Sequence, residues 1–385
     1  MFLTSLYRNL KKNLGLICLW LASMILIYNF SAYRTRLTIS ELDDMKSKII
    51  KDEQKIALEL IEKKRNEVNY DKLGNQVHPN VMVLNDGSKY HYNHTTPIIF
   101  IGGMPRSGTT LMRVMLDAHS EVRCGEETRL VPRLLGMRSN WYRSEKEKNR
   151  LVQAGVSDLV IDEAMRQFLL EVIVRHGQPN KYLCNKDPFT LKSQIYLKKL
   201  FPNAKFILMI RDGRATAHSI IERKVTISGF DITSYKDVLT KWSRAIETMY
   251  DQCISHNNTC LPVWYEQLVL HPEENLKKIS KFLDLPWDEK MLHHEKYTNQ
   301  MKISAVEKST DQVQKPLYLD ALSAWYGHIP REVEQELESI APMLGKLGYK
   351  YDFGRGKRPT YGVPDDFVLN NLKESTQFSH EWAGH

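Results

Sequence analysis

The sequence predicts an α/β fold, a mainly parallel sheet flanked by helices, and three observations carry that prediction. Short apolar runs at Ile98–Ile101, Tyr182–Cys184, Phe206–Ile210 and Leu261–Trp264 alternate with longer segments of helical periodicity. Strands that alternate with helices pack as a parallel sheet with helices on both faces. The first run passes into a glycine-rich turn and then a helical stretch, the layout of a phosphate-binding loop. Finally, Arg106, Lys186 and Arg211 each fall just after a predicted strand, where open α/β sheets bind their ligands.

At 385 residues the chain has room for one large domain and appendages. Leu14 to Phe30 is uncharged and apolar, with Arg8, Lys11 and Lys12 before it and Arg34 and Arg36 after. As a helix this run spans about 25 Å, enough for a thin internal membrane. A cleaved signal peptide is the rival reading, but the run exceeds the usual apolar region of about 7–15 residues and no small-x-small cleavage site follows. The expectation is an uncleaved anchor over residues 14–30, residues 1–13 in the cytosol and the rest luminal. From Ser40 to Tyr70 the chain is charged and free of Pro and Gly, with Leu42, Met45, Ile49, Ile56, Leu60 and Ile61 at helical spacing. That pattern fits a solvated helical spacer better than a coiled coil. Polar and turn residues from Gly74 to His94 complete a stem and linker over residues 31–94.

The domain proper is expected over residues 95–352. After the Ile98–Ile101 strand, Gly103 and Gly108 keep the spacing of the nucleotide-triphosphatase loop and Thr110 keeps its hydroxyl, but Thr109 stands where the lysine belongs. Without that lysine the β/γ-phosphates of a magnesium triphosphate lose their charge partner, which argues for a different anion. The helical stretch Leu111–Leu116 follows. The next turn sets the adjacent carboxylates of Glu126 and Glu127 between Arg123 and Arg129. Ser157–His176 reads as a helix opened by Ser157 and closed by Gly177, and Thr233–Tyr250 and Glu273–Leu283 read as two more. Residues 353–385, rich in Gly, Pro and Asn, read as a loop-like C-terminal extension.

Composition excludes two classes. The net charge is +8, yet no aromatic-basic nucleic-acid module accompanies it, so no nucleic-acid partner is expected. His293-His294 lacks partners at metal spacing, so no metal is expected either.

Several long strings lie in register with one family. They are Pro105-Arg106-Ser107-Gly108-Thr109-Thr110, Cys124-Gly125-Glu126-Glu127-Thr128-Arg129 and Cys184-Asn185-Lys186-Asp187-Pro188-Phe189-Thr190-Leu191-Lys192. Further on come Arg211-Asp212-Gly213-Arg214, Tyr265-Glu266-Gln267-Leu268 and Ser309-Thr310-Asp311-Gln312-Val313. Over Pro97 to Tyr361 the chain resembles the tyrosylprotein sulfotransferases. The resemblance implies the sulfotransferase fold with a 5′-phosphosulfate-binding loop. It also implies sulfuryl transfer from 3′-phosphoadenosine 5′-phosphosulfate (PAPS) to tyrosine in acidic segments of secretory proteins, a homodimer, and a single-pass type II place in the Golgi membrane. Cys18 lies in the apolar run; Cys124, Cys184, Cys253 and Cys260 allow three pairings, of which the resemblance supports Cys124–Cys184 and Cys253–Cys260. Sequons at Asn93 and Asn257 suit a luminal face, whereas the one at Asn29 falls at the membrane edge.

The chemistry needs a held donor, charge against the leaving phosphate and a base. Backbone N–H groups and hydroxyls of Arg106, Ser107, Gly108, Thr109 and Thr110 suit the 5′-phosphosulfate. Arg211, Ser219 and Arg223 recur at helical spacing, and the resemblance assigns them to the 3′-phosphate and Tyr265 to the donor pocket. It also makes Ser309, Thr310, Asp311, Gln312 and Val313 a segment closing over the donor, with Ser309 and Lys186 on the bridging oxygen. Where the family has a later lysine this chain has Ala324, so that contact is lost or supplied by Lys315. A tyrosine hydroxyl with pKa about 10 must give up its proton; the family pattern gives that task to Glu127 and leaves Glu126 structural hydrogen bonds. Arg129, Leu130, Val131, Pro132, Arg133, Leu134 and Arg150 form the expected acidic-peptide surface. The competing readings are a Golgi carbohydrate sulfotransferase, a phosphate-loop kinase or nucleotide hydrolase, and an inactive membrane-tethered scaffold.

Overall fold

The computed structural model describes residues 80–385 apart from 302–303, 305–306, 318, 352–358 and 375–385, and only 23–25, 45–49 and 52 before them. The 14–30 run and most of the stem therefore lie outside the described residues. Among the described residues, no helix is long and apolar enough to cross a membrane. The chain divides into two compact units, 1–78 and 79–385. The described pieces of the first are short, exposed helical fragments.

The second unit opens with β1 (Asn80–Val83) and β2 (Lys89–Tyr92), an antiparallel hairpin. The sequence reading took this stretch as linker because its strands are short and half exposed. The turn signal Asn85-Asp86-Gly87-Ser88 was there, with Gly87 at φ +82. Tyr92 sinks into the core and its hydroxyl donates to Glu171 at 2.6 Å.

Five strands then build the central sheet: β3 (Ile98–Gly103), β4 (Val122–Cys124), β5 (Tyr182–Lys186), β6 (Lys205–Ile210) and β7 (Cys260–Trp264). Their order is β4-β5-β3-β6-β7 and every pairing is parallel, as the alternation of runs predicts. The helices between them are α1 (Thr109–Asp117), α2 (Leu130–Arg143), α3 (Glu145–Gln153), α4 (Asp158–Arg175), α5 (Gln194–Leu200), α6 (Gly213–Glu222), α7 (Tyr235–Ser255), α8 (Tyr265–Leu270) and α9 (Pro272–Leu283). Side chains of a strand alternate between faces. Phe100, Leu183, Phe206 and Leu208 accordingly share one core with Leu169 of α4 and Trp242 and Met249 of α7. Ile99, Ile101, Ile207 and Met209 share the other with Met112 and Met115 of α1 and Leu276 and Ile279 of α9. A sheet buried on both faces explains why the strands read as continuous apolar runs.

Three local readings need correcting. Helix α6 begins after Arg211, because Asp212 takes the N-cap position and its carboxylate accepts the Arg214 N–H. Lys186 is the last residue of β5 rather than beyond it. The C-terminal extension is not all loop: a helix runs over Asp366–Glu374, with the Asp365 carboxylate accepting the Val368 N–H and Val368 buried. Its stop and start signals, Pro364 followed by acidic residues, were hidden by the Gly- and Pro-rich stretch before it.

The chain from β3 first adds β5 and β4 on one side, then β6 and β7 on the other. Reversal of direction at the central strand opens a crevice at the carboxyl ends of β3, β5 and β6. Cys124 of β4 and Cys184 of β5 are register partners and are disulfide-bonded, Cα–Cα 4.4 Å, beside that crevice. Cys253 and Cys260 join the end of α7 to the start of β7, Cα–Cα 5.2 Å. Asn257 is exposed in the turn between them, and Asn93 is half-buried just after β2.

Candidate active site

The loop from β3 to α1 is built by glycines and strain. Gly103 has φ +150 and Gly108 φ +92, and a Cβ on Gly108 would lie 2.4 Å from the Tyr265 ring. The turn therefore closes tightly enough to rest on Tyr265, which needs glycine there. Arg106, between them, has φ +74, and Arg129 has φ +57; they are two of the four non-glycine residues with positive φ among the described residues. Strained backbone of this kind gathers where surrounding structure holds a functional geometry.

Arg106 is the hub of the crevice. Its Nε donates to Ser219 Oγ at 3.0 Å, its Nη1 to Ser309 Oγ, and its Nη2 to Gln312 Oε1 at 2.5 Å. Its carbonyl accepts from Arg211 Nη1 at 2.7 Å, and the Arg211 guanidinium lies 4.7 Å from the Tyr265 ring centroid. Arg223 donates to the Asp311 carboxylate at 3.0 and 3.1 Å. Around these groups is a cavity of about 250 Å³, lined by Arg106, Gly108, Thr109, Thr110, Arg211, Ser219, Arg223, Tyr265, Ser309, Gln312, Val313 and Lys315. Ala324 is on its wall with Lys315. Thr110 lines this cavity but its hydroxyl lies toward Glu307, Thr310 turns its own to the Ser304 carbonyl, and Asp311 faces Arg223. The Ser107 hydroxyl and Arg211 Nε are buried and find no partner among the described residues. Ser107 lines neither cavity, but the orphaned Arg211 donor beside a cluster of guanidinium groups and free helix N–H groups fits a polyanion.

A second cavity, about 420 Å³, meets the first at Arg106, Thr109, Thr110 and Ser309. Glu127, Arg129, Arg133, Asp187 and Lys192 form its polar rim, and Pro132, Phe189, Val225, Ile227 and Phe230 its apolar wall. Of the expected peptide surface, Arg129, Pro132 and Arg133 are here. Leu130 is exposed outside it, Val131 is fully buried in the core, and Leu134 packs against that core. Arg150, on α3, pairs with Glu147 at 2.8 Å and does not line the cavity. Helical spacing on α2 divides these positions: 132 and 133 share one face and 131 and 135 the opposite one, with Arg129 just before the helix.

Glu127, Asp187 and Glu307 of the second cavity belong to a charged centre around Lys186. Lys186 is fully buried, and its ammonium donates to Glu127 Oε2 at 2.7 Å and Glu307 Oε2 at 3.1 Å. It does not pair with its neighbour Asp187, which instead accepts from Asn185, Thr128 and the Arg129 N–H. Burial pushes the Asp187 carboxyl up to about 6, against those hydrogen bonds. Glu127 also accepts from Arg129 Nε at 3.0 Å. Glu126 is half-buried and accepts no hydrogen bond from the described residues, so the structural role expected of it is not seen. Glu307 escaped sequence reading. Its carboxylate accepts the Glu127 N–H at 3.3 Å and approaches Thr110 Oγ1 at 3.5 Å. Burial opposes its ionisation, but Lys186, Arg113 and these hydrogen bonds outweigh burial and hold it below the usual carboxylate range. The one signal in the sequence was its place two residues before Ser309.

Among the described residues no cluster of His, Cys, Asp and Glu is arranged to hold a metal ion. The arrangement as built can bind a polyanion in one cavity and admit a second molecule in the other, with an acid–base pair on the wall of the second.

Comparison with known proteins agrees in extent and kind. Residues 97–289 match the model of the sulfotransferase family. The chain is 57% identical over 295 residues to protein-tyrosine sulfotransferase 2 of Gallus gallus, covering 76% of this chain and 79% of that one. It is 58% identical over 292 residues to protein-tyrosine sulfotransferase 1 of Danio rerio, covering 75% and 81%. Against protein-tyrosine sulfotransferase 1 of Homo sapiens the figures are 54% over 294 residues, 75% and 79%.

Proposed function

This chain belongs to the protein-tyrosine sulfotransferase family, and we propose that it sulfates tyrosines in acidic segments of secretory and membrane proteins, with PAPS as donor and Glu127 as base. When bound, PAPS supplies the sulfuryl group and departs as 3′-phosphoadenosine 5′-phosphate. Arg211, Ser219 and Arg223 would hold its 3′-phosphate, and Arg106 to Thr110 with the N-terminus of α1 its 5′-end. Ser309 lies where the cavities meet, and Lys186, buried behind Glu127 and Glu307, would supply positive charge toward the bridging oxygen. Tyr265 is the floor under Gly108.

The observation that carries the assignment is Glu127 at the mouth of the acceptor cavity, its carboxylate 2.7 Å from a buried ammonium. A carboxylate so placed takes the tyrosine proton while Lys186 stays charged for the leaving oxygen. Arg129 and Arg133 on the rim suit carboxylates flanking the acceptor tyrosine. The orphaned Arg211 donor and the run of cations support an anionic donor over a neutral one, and no step calls for a metal. The carbohydrate alternative is disfavoured by the arginine rim and by the relatives. The rest of the reading rests on sequence: a type II anchor at 14–30, glycosylation at Asn93 and Asn257, a Golgi lumenal domain and a homodimer.

The test is turnover of Glu127→Ala. PAPS affinity and the melting temperature stay near wild type while kcat falls by about 10²–10⁴, the usual worth of general base catalysis. An acceptor with a more acidic fluorinated tyrosine recovers part of that loss. Near-normal turnover by this variant rejects Glu127 as the base.

A further inference from the structure

Lys186 poses a problem that the proposed mechanism leaves open. A fully buried ammonium is held in place by its counter-charges. During transfer Glu127 takes a proton and turns neutral, and at that moment Lys186 loses the nearer of its two carboxylates. Glu307 is the other, at 3.1 Å. We infer that Glu307 is a positioning residue, the permanent counter-ion that keeps Lys186 charged and aimed while Glu127 changes protonation state. The inference rests on the assignment of Glu127 as base.

The surroundings of Glu307 suit that task. Its side chain is only 12% exposed. It faces Lys186 from β5, Arg113 and the Thr110 hydroxyl from α1, and the Glu127 N–H from the turn after β4. Lys186, Arg113 and Arg129 stand against Glu127, Glu307 and Asp117, with Asp187 beside Glu127. Arg113 is tied at 3.8 Å to Asp117 and cannot take over the place of Lys186. Glu307 remains ionised because Lys186 and Arg113 outweigh the effect of burial. It also binds the backbone of the base, so both the orientation of Glu127 and the charge of its partner pass through one carboxylate. Ser309, two residues on, bonds Arg106.

The charge argument also fixes a direction on pH. Glu127 shares Lys186 with a second anion. Removing that anion gives Glu127 the whole ammonium, with Arg129 still bound to it, and stabilises its charged form. A less basic carboxylate is a poorer proton acceptor.

The experiment compares full-length wild type with Glu307→Gln, Glu307→Asp and Glu127→Gln, using PAPS and an acidic tyrosine peptide across pH 5 to 8. Melting temperatures identify any variant that fails to fold. For Glu307→Gln, kcat falls by about 10–100-fold, a share of what general acid–base catalysis supplies. Its KM for PAPS changes little, and the acidic limb of the kcat profile moves to lower pH by about one unit. Glu307→Asp keeps the charge but one methylene farther from Lys186, so its limb lies between those of wild type and Glu307→Gln even if kcat recovers only in part. A Glu307→Gln enzyme with wild-type kcat and an unmoved limb overturns the inference. So does one that loses only PAPS affinity, which would make Glu307 a closure contact. If Glu307→Gln does not fold, the Glu307→Asp limb decides: displacement from wild type toward lower pH supports the inference and coincidence overturns it. If Glu127→Gln keeps normal turnover, the base assignment falls and the inference with it. An inactive Glu127→Gln beside a wild-type-like Glu307→Gln removes Glu307 alone.

Discussion

Replacing Glu266 by Gln should change how stability depends on pH, and the size of the change follows from the burial of one carboxylate. Glu266 is 2% exposed. Its Oε1 accepts the Asp212 N–H at 2.9 Å and its Oε2 accepts the Tyr349 hydroxyl at 2.9 Å. Asp212 is a second buried acid, bound by Arg214 and the Tyr361 hydroxyl. Burial, helped by the charge of Asp212, pushes the Glu266 carboxyl from 4.5 up to about 7, against its hydrogen bond to the Asp212 N–H. A carboxyl raised in the folded state binds its proton more tightly there than when unfolded. Its contribution is therefore fully present below about 4.5 and is lost as pH rises through about 7. The rise from 4.5 to about 7 corresponds to about 3 kcal/mol. Gln has the same shape and no charge to develop, so the variant lacks this loss. Thermal melts at fixed scan rate between pH 4.5 and 8 should show the melting temperature of Glu266→Gln rising relative to wild type by several degrees, at roughly 2 °C or more per kcal/mol. PAPS binding should follow the same curve, because Glu266 steadies the turn that carries Arg211. A constant difference between the two proteins at all pH values refutes the assignment of the proton to Glu266.

Gly108→Ala places a Cβ into the Tyr265 ring at a φ of +92. The left-handed backbone alone costs about 1–2 kcal/mol, and the displaced ring should raise KM for PAPS well above its effect on the peptide, as measured by initial rates with each substrate varied. Arg129→Glu with Arg133→Glu reverses charge on the rim of the acceptor cavity. KM for acidic tyrosine peptides should rise while PAPS affinity holds, and added salt should weaken the wild-type peptide interaction, since exposed charges are screened within about 8 Å at physiological ionic strength. Kinetics indifferent to both would place peptide recognition elsewhere.

The parts of the site that were legible in the sequence are those a strand end can place. Arg106, Lys186 and Arg211 each follow or end a buried strand, and a parallel sheet brings such positions to one edge whatever the intervening helices do. Hydrophobic runs report burial, so β3, β5, β6 and β7 could be read, while β4, three residues with Arg123 in the middle, leaves no apolar run, and β1 and β2 are half exposed and near polar turns. Contacts made by the 307–313 segment carry no local signature at all. Glu307 is paired with Lys186 across 121 residues, and no periodicity or cap marks a carboxylate that will serve there. Yet part of the answer follows from electrostatics alone. A lysine at the end of a strand buried on both faces requires an anion. Glu127, if it is to gain a proton, cannot be that anion throughout the reaction. Lys186 with Glu127 therefore implies a further carboxylate somewhere in the chain, and the fold is needed only to say that it is Glu307 rather than the adjacent Asp187.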